Sequence, residues 1–234
     1  AGMMKAQRQH EELRIIEAST GSLVLFADMH GDDRACGELS VQVGEMHAND
    51  DVIASLGDII GGKGPMQLET LSLWLAALVK FPNRIAICKG NCETNRNIIA
   101  AEGLLDQAYE RWGMPCFDTV VDKIADTLDL LPTWLSFPSI GVLVCHGGPI
   151  RPVERLSSLE LPIPDLDQWG DYDETLEGLE TPISGRGTPY TRSFGLGRVA
   201  HVLKATGHTV LLRGHQSKLL KQQSSGILMN SNFT

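Results

Sequence analysis

The sequence is poor in the features that mark several functional classes. No apolar run approaches the roughly 20 residues that a membrane-spanning helix needs, and the first residues lack the basic-then-apolar pattern of a secretory signal. Basic residues are outnumbered, 20 Lys+Arg against 29 Asp+Glu for a net charge of −9, which argues against a surface built for duplex nucleic acid. Cysteine is sparse, and the five residues Cys36, Cys88, Cys92, Cys116 and Cys145 are scattered and odd in number. That excludes a disulfide-stapled scaffold and suits a reducing compartment. Internal repeats and low-complexity tracts are missing as well. What remains is a 234-residue chain with 42% hydrophobic residues, enough for a sizeable packed core. The expectation is an acidic cytoplasmic protein with no nucleic-acid surface and no membrane segment. Residues 1–21 read as an expression-tag remnant (Ala1–Met4) and a leading helix over Met4–Ala18, and residues 22–234 as one domain.

One local grammar recurs along that domain. A short apolar run stops abruptly in glycine and polar residues: Ser22–Phe26 before Asp28-Met29-His30-Gly31, Asp51–Leu56 before Gly57-Asp58, Arg84–Cys88 before Gly90-Asn91-Cys92-Glu93, Ile140–Cys145 before His146-Gly147-Gly148, and Thr209–Leu212 before Arg213-Gly214-His215-Gln216. Helical spacing of apolar residues predicts helices over Gln67–Lys80, Asn95–Arg111, Asp122–Leu131 and Gly195–Thr206, the last stopped by Gly207. Strands alternating with helices imply an α/β protein with helices covering its sheets. Pro152–Arg186 is rich in proline, glycine and acid without periodicity, and is expected to be a surface excursion.

Open α/β sheets gather ligands beyond the carboxyl ends of their strands. Asp28, His30, Asp58, Asn91, His146 and His215 all fall there and form one constellation of three oxygen donors and three imidazoles. The mixed set suits manganese, iron or zinc better than magnesium or calcium, which favour oxygen alone. It exceeds what one tetrahedral ion needs and fits a two-metal site with a bridging carboxylate. Each motif alone is short and common, but five of them in order are hard to obtain by chance. The remaining histidines, His10, His47, His201 and His208, sit in helix or loop contexts and read as structural or solvent-facing.

In aggregate these motifs resemble the calcineurin-like metallophosphoesterase superfamily, and within it the phosphoprotein phosphatase family of serine/threonine phosphatases. Trp169-Gly170-Asp171 is similar to that family's Trp-Ser-Asp element, and Gly185-Arg186-Gly187 with Phe194-Gly195 to its Arg-Gly and Phe-Gly segment. The resemblance spans residues 22–216 and implies a four-layered α/β/β/α sandwich with a dinuclear metal site at strand ends. It also implies that Asp28, His30 and Asp58 hold the first ion, that Asp58 bridges, and that Asn91, His146 and His215 hold the second. Arg186 matches the arginine that grips the substrate phosphate. The implied cofactor is a pair of divalent or trivalent transition-metal ions, manganese first, with iron or zinc as alternatives.

The chain departs from the family pattern at one point that matters for chemistry. Where the family reads Gly-Asp-x-x-Asp-Arg-Gly, this sequence has Gly61 and Gly62 in place of the second Asp and the Arg, and Cys92 replaces the His of Gly-Asn-His-Glu. The acid that would protonate the leaving oxygen and the carboxylate that would orient it are thus missing together, which suggests an altered site. Cys92 can be read as a replacement acid, as a metal-recruited thiolate or as an inert filler. Some bacterial phosphodiesterases of the superfamily resemble it with Gly-Asn-Cys-Asp. Lys63 is a candidate substitute for the missing arginine, whereas Arg96 reads as a surface charge. Restoring Gly61→Asp and Cys92→His together is expected to return an oriented acid. Beyond the last motif, Ser217–Thr234 supplies at most two short strands, fewer than the family continues with, which implies a more open site or an incomplete chain.

The function so implied is hydrolysis of phosphate monoesters, with a metal-bridging hydroxide attacking phosphorus and a phosphorylated protein or small phosphoester as substrate. Catalytic roles fall to Asp58, Asn91, Arg186 and Cys92, and substrate binding to Arg186 and Lys63. The alternatives are a phosphodiesterase or nucleotide-polyphosphate hydrolase on the same scaffold, or a catalytically weak pseudophosphatase that binds phosphorylated partners.

Overall fold

A computed structural model of the chain describes residues 13–17, 21–46, 50–62, 64–94, 103–113, 117–148, 170–172, 193–216 and 227–229. The strands are β1 (Leu13–Ile15), β2 (Leu23–Phe26), β3 (Val52–Ser55), β4 (Ile85–Ile87), β5 (Trp134–Phe137), β6 (Val142–Cys145), β7 (Asp171–Tyr172), β8 (Ser193–Phe194), β9 (Val210–Arg213) and β10 (Ile227–Met229). The helices are α1 (Asp33–Glu45), α2 (Gln67–Lys80), α3 (Asn91–Thr94), α4 (Leu104–Trp112), α5 (Phe117–Leu128) and α6 (Leu196–Thr206).

β2, β3 and β4 form one wholly parallel sheet in that order. The second sheet runs β1-β5-β6-β9-β10, with β1 parallel to β5, β6 parallel to β9, and the other two pairs antiparallel. β7 and β8 form a small parallel pair. Successive side chains of a strand point to opposite faces, so each sheet contributes to two cores. Val24 and Phe26 of β2, Ile53 of β3, and Ile85 and Ile87 of β4 pack under α1, α2, α4 and α5. Their neighbours Leu23, Leu25, Val52, Ala54 and Ala86 face the second sheet and meet Leu135, Phe137, Val142, Val144 and Leu212. The opposite face of that sheet, with Trp134, Leu143, Cys145 and Leu211, is covered by Val199, Val202 and Leu203 of α6. Three cores between four layers give the α/β/β/α sandwich. All four residues of β3 are buried because layers lie on both sides of it, which is why Val52, Ile53 and Ala54 are apolar in succession rather than alternating.

The sequence reading needs correction at several elements. The expected leading helix does not hold where it is described: Leu13–Ile15 is an edge strand paired with Trp134–Ser136, so the second sheet begins before the expected domain boundary at residue 21. The rest of that helix lies outside the described residues. α1 was not anticipated. It starts at the side chain of Asp32, which accepts the N–H of Ala35 at 2.9 Å, and buries only Cys36 and Leu39 fully, so its apolar stripe is faint. β5 was not anticipated either. The α2 expectation matches, and α6 ends on Gly207 in the left-handed conformation, as the glycine stop implied. Of the helix expected at Asn95–Arg111, residues 95–102 lie outside the described set and Leu104–Trp112 forms α4, while the helix expected at Asp122–Leu131 is found earlier, as α5. Of the expected excursion 152–186, only residues 170–172 are described, and Gly170 and Asp171 are buried rather than on the surface. Among the described residues no helix is long and apolar enough to cross a membrane.

Phe137 is fully buried between the two sheets, whereas Tyr109 on α4 is half-exposed. Phe137→Ala is expected to lower the unfolding free energy by about 3–5 kcal/mol and Tyr109→Ala by about 0.5 kcal/mol or less, as measured by denaturant titration.

Candidate metal centre

Because β2, β3 and β4 are parallel, their carboxyl ends share one edge, and β6 and β9 bring theirs to the same place from the second sheet. Beyond those ends the loops carry Asp28 and His30, Asp58, Asn91, His146 and His215. Asp28, His30, Asp58 and His215, with φ of 49°, 48°, 53° and 73°, are the only non-glycine residues of positive φ among those described. A left-handed backbone costs about 1 kcal/mol or more per residue, and such strain gathers where geometry serves function. Pairing carried past the strands supports it: the N–H of Asp28 donates to Gly57 O at 3.2 Å, that of His30 to Asp58 O at 3.0 Å, and that of Gly31 to Ile59 O at 3.1 Å. Gly57 at φ 95° has no room for a side chain, since a Cβ there would meet the backbone of Gly90 at 2.7 Å.

The donor atoms converge. His146 Nε2 lies 3.0 Å from Asn91 Oδ1, 3.2 Å from His215 Nδ1 and 3.3 Å from Asp58 Oδ2, and His215 Nδ1 lies 2.9 Å from Asn91 Oδ1. Backbone and side-chain partners set the ring orientations. His146 Nδ1 sits 2.9 Å from the carbonyl of Leu56 and His30 Nδ1 sits 3.2 Å from that of Ile60. A carbonyl can only accept, so in both neutral rings Nδ1 carries the proton and Nε2 presents its lone pair. Asp171 lies 3.5 Å from His215 Nε2, the ring nitrogen away from the cluster, and Nδ1 is the one that faces it. In those tautomers four acceptor atoms point at one another, an arrangement that a cation between them would satisfy. Donors in cis positions about 2.1 Å from an ion stand about 3.0 Å apart, the spacing seen here. The residues present thus fit a divalent metal.

Electrostatics agree with that reading. Burial works against the charge on Asp58, but His146, the N–H of Cys92 at 3.0 Å and His30 hold its carboxyl down at about 2, so it is anionic at neutral pH. Burial likewise opposes charge on His146, and the Asp58 carboxylate outweighs it, so the imidazole pKa is raised. Asp28 is pushed up by burial, although its carboxylate accepts the N–H of His215 at 3.0 Å. Glu93, which the sequence reading gave no role, is fully buried. Its carboxylate accepts backbone N–H groups from Asp58 at 2.8 Å, Ile59 at 2.8 Å, Ile60 at 3.2 Å and Gly90 at 2.7 Å. Burial and the nearby Asp58 charge raise its pKa.

A second group joins Asp58 to His30 and Cys92, with one donor atom from each within 4.8 Å of the others. Next to it, the loop after Asp58 is built on glycine. Gly61 and Gly62 have φ of 88° and 73°, and buried Gln67 clamps them, its Oε1 accepting the N–H of Gly61 at 2.9 Å and its Nε2 donating to Gly62 O at 3.1 Å. A Cβ on Gly62 would stand 3.3 Å from that of His30. This backbone bears on the expectation that Gly61→Asp with Cys92→His restores an oriented acid, because an Asp at 61 would be strained at its φ of 88°.

The structure brings Asp28, His30, Asp58, Asn91, Cys92, His146 and His215 to one place. Arg186, Lys63, Arg96, His10, His47 and Trp169 lie outside the described residues. His208 is buried against Ser136, its Nε2 2.8 Å from the hydroxyl, in keeping with a structural role. Besides Glu93, the sequence reading missed the parts played by Asp171, Gln67 and the carbonyls of Leu56 and Ile60. Asp171 carried a signal in the Trp169-Gly170-Asp171 element, whereas a backbone carbonyl carries none.

Comparison with known proteins places this geometry. Residues 21–218 match the profile of the calcineurin-like phosphoesterase family. The catalytic subunit of serine/threonine-protein phosphatase 6 from Caenorhabditis elegans is 28% identical over 172 residues, which cover 69% of this chain and 49% of that protein. The chain therefore spans about half the length of this curated relative. A protein serine/threonine phosphatase from Saccharomyces cerevisiae shares the fold at a TM-score of 0.68 and 18% identity, covering 92% of this chain and 68% of its own. A cold-active protein tyrosine phosphatase does so at a TM-score of 0.54 and 14% identity, again over 92% and 68%. With most of its length matched, the chain belongs to the calcineurin-like phosphoesterase family, and its likenesses there run to the phosphoprotein phosphatases.

Proposed function

We propose that the protein hydrolyses phosphate monoesters with a pair of transition-metal ions. The observation that carries this reading is the convergence of Asp58, Asn91, His146 and His215 donor atoms at distances between 2.9 and 3.3 Å. Asp28 and His30 complete a first position and Asn91, His146 and His215 a second, with anionic Asp58 between them. Bound there, the ions supply the Lewis acidity that activates a water and clamps a phosphoryl group. Asp58 holds its negative charge at neutral pH, and Leu56, Ile60 and Asp171 keep the three imidazoles turned inward. Arg186 grips the substrate phosphate, a role that rests on the resemblance alone.

The substrate class follows from what is missing. Neither Gly61 nor Gly62 offers a proton or a charge, so these positions supply no oriented His–Asp acid for the leaving oxygen. General acid catalysis typically contributes about 10²- to 10⁴-fold and matters most for poor leaving groups. A phenoxide, whose conjugate acid has a pKa of about 10, leaves with far less help than a serine alkoxide. Aryl esters, phosphotyrosine-like in kind, are the preferred substrates in this reading. The likeness of fold to a tyrosine phosphatase is compatible with that preference.

Two outcomes test the proposal. Asp58→Asn is expected to lower kcat by at least about 10²-fold with the fold intact by circular dichroism, the scale set by losing one charged group at a reacting centre. Hydrolysis at the parental rate by a fully metal-loaded variant would contradict the bridging role. On matched esters with chemistry rate-limiting, kcat/KM is expected to fall steeply with leaving-group pKa, favouring aryl over alkyl by about 10²-fold or more. Equal rates would contradict the missing acid. Preferential turnover of diesters or nucleotide polyphosphates in the same panel would favour the related hydrolase activities, and no turnover at all a pseudophosphatase.

A further inference from the structure

Cys92 is the residue of the site that the proposed function leaves without a task. It is buried at 5% exposure, and its backbone N–H donates to Asp58 Oδ1 at 3.0 Å, which fixes its position against the bridging carboxylate. Its Sγ shares a cluster with a ring nitrogen of His30 and an oxygen of Asp58, all within 4.8 Å of one another, and His30 Nε2 lies 3.7 Å from Asp58 Oδ2. The side chain of Asn91 links this group to the histidine cluster, because its Oδ1 faces His146 and His215 while its Nδ2 donates to Cys92 Sγ at 3.5 Å. Sulfur is thus presented as an acceptor, the role a thiolate takes. An ion bound to sulfur at about 2.3 Å and to nitrogen at about 2.1 Å spans up to about 4.4 Å between opposite donors, inside the 4.8 Å that encloses the three donor atoms.

We propose that Cys92 is itself a metal ligand, its thiolate joining His30 and Asp58 at the first position. The proposal rests on the two-metal reading and deepens it. Coordination releases the thiol proton to solvent and forms a metal–sulfur bond. A ligated sulfur has no proton to give, so Cys92 does not act as the replacement acid, and the aryl preference stands. The donor set also turns softer, since thiolate with imidazole selects zinc or iron over manganese.

The test is a cobalt(II) titration of the chelator-stripped full chain under reducing, oxygen-free conditions, with bound cobalt counted by metal analysis. A near-ultraviolet sulfur-to-cobalt charge-transfer band is expected to grow as the ions bind. It is expected to vanish in Cys92→Ser while that variant still takes up two ions. The preference for zinc over manganese is expected to fall by at least about 10- to 100-fold in the variant, the range that even the hydrogen-bonding partners of ligands produce. Two bound cobalt ions without the band in the parent, a band that survives Cys92→Ser, or an unchanged zinc preference would each overturn the ligand and leave the two-metal site standing. Failure of the parent to bind cobalt would overturn the two-metal reading beneath it. Cys92→Ala serves as the second variant should the serine form not fold, and the parental spectrum is informative in either case.

Discussion

The buried carboxylate of Glu93 holds the site together. One of its oxygens receives N–H groups from Ile59 and Ile60, and the other receives those of Asp58 and Gly90. The loops after β3 and β4 are thereby tied to one side chain. Asp58 is carried in a left-handed conformation that its own sequence does not favour. Hydrogen bonds to a charged group contribute about 1.5–3 kcal/mol each, enough to offset the strain of holding Asp58 and its neighbours in this form. The charge also needs a counterpart. Glu93 is destabilised as an anion by burial and by Asp58, and cations at the adjacent donor cluster would relieve both carboxylates.

The two sheets are coupled at the same place. His146 on the second sheet meets the Leu56 carbonyl at the end of β3, and Asp28 from the first sheet accepts the N–H of His215. Candidate donors from both sheets then share one cluster, so the sandwich core beneath them, which includes Phe137, Val144 and Ala86, sets the distances between those donors. Arg213 extends the support by donating to the carbonyls of Gly147 and Gly170, which holds Asp171 near His215.

Much of this was legible in the sequence for identifiable reasons. Strands buried on both faces read as apolar runs, and every candidate donor except Asp28 stands beside glycine just beyond such a run, as Asp58 follows Val52–Ser55. Elements whose stability comes from distant partners were not legible. Leu13–Ile15 is charged at Arg14, and Ile15 lies exposed at 61%, so only its pairing with Trp134–Ser136, far along the chain, makes it a strand. α1 buries too few side chains to show a stripe, and β5 is interrupted by Ser136, so it shows no continuous apolar run. The role of Glu93 was invisible because its partners are main-chain N–H groups, which every residue but proline possesses. The Gly61–Gly62 loop marks the opposite case: the substitutions were plain to read, but only the backbone angles reveal that an Asp placed at 61 would be strained.

The central claim is a site for two ions bridged by Asp58. Metal analysis of reconstituted protein, combined with anomalous diffraction from its crystals, tests it most directly. The account predicts two ions per chain, one shared by Asp28, His30 and Asp58, the other by Asp58, Asn91, His146 and His215. A fully reconstituted sample that holds one ion or none, or ions remote from Asp58, would contradict it.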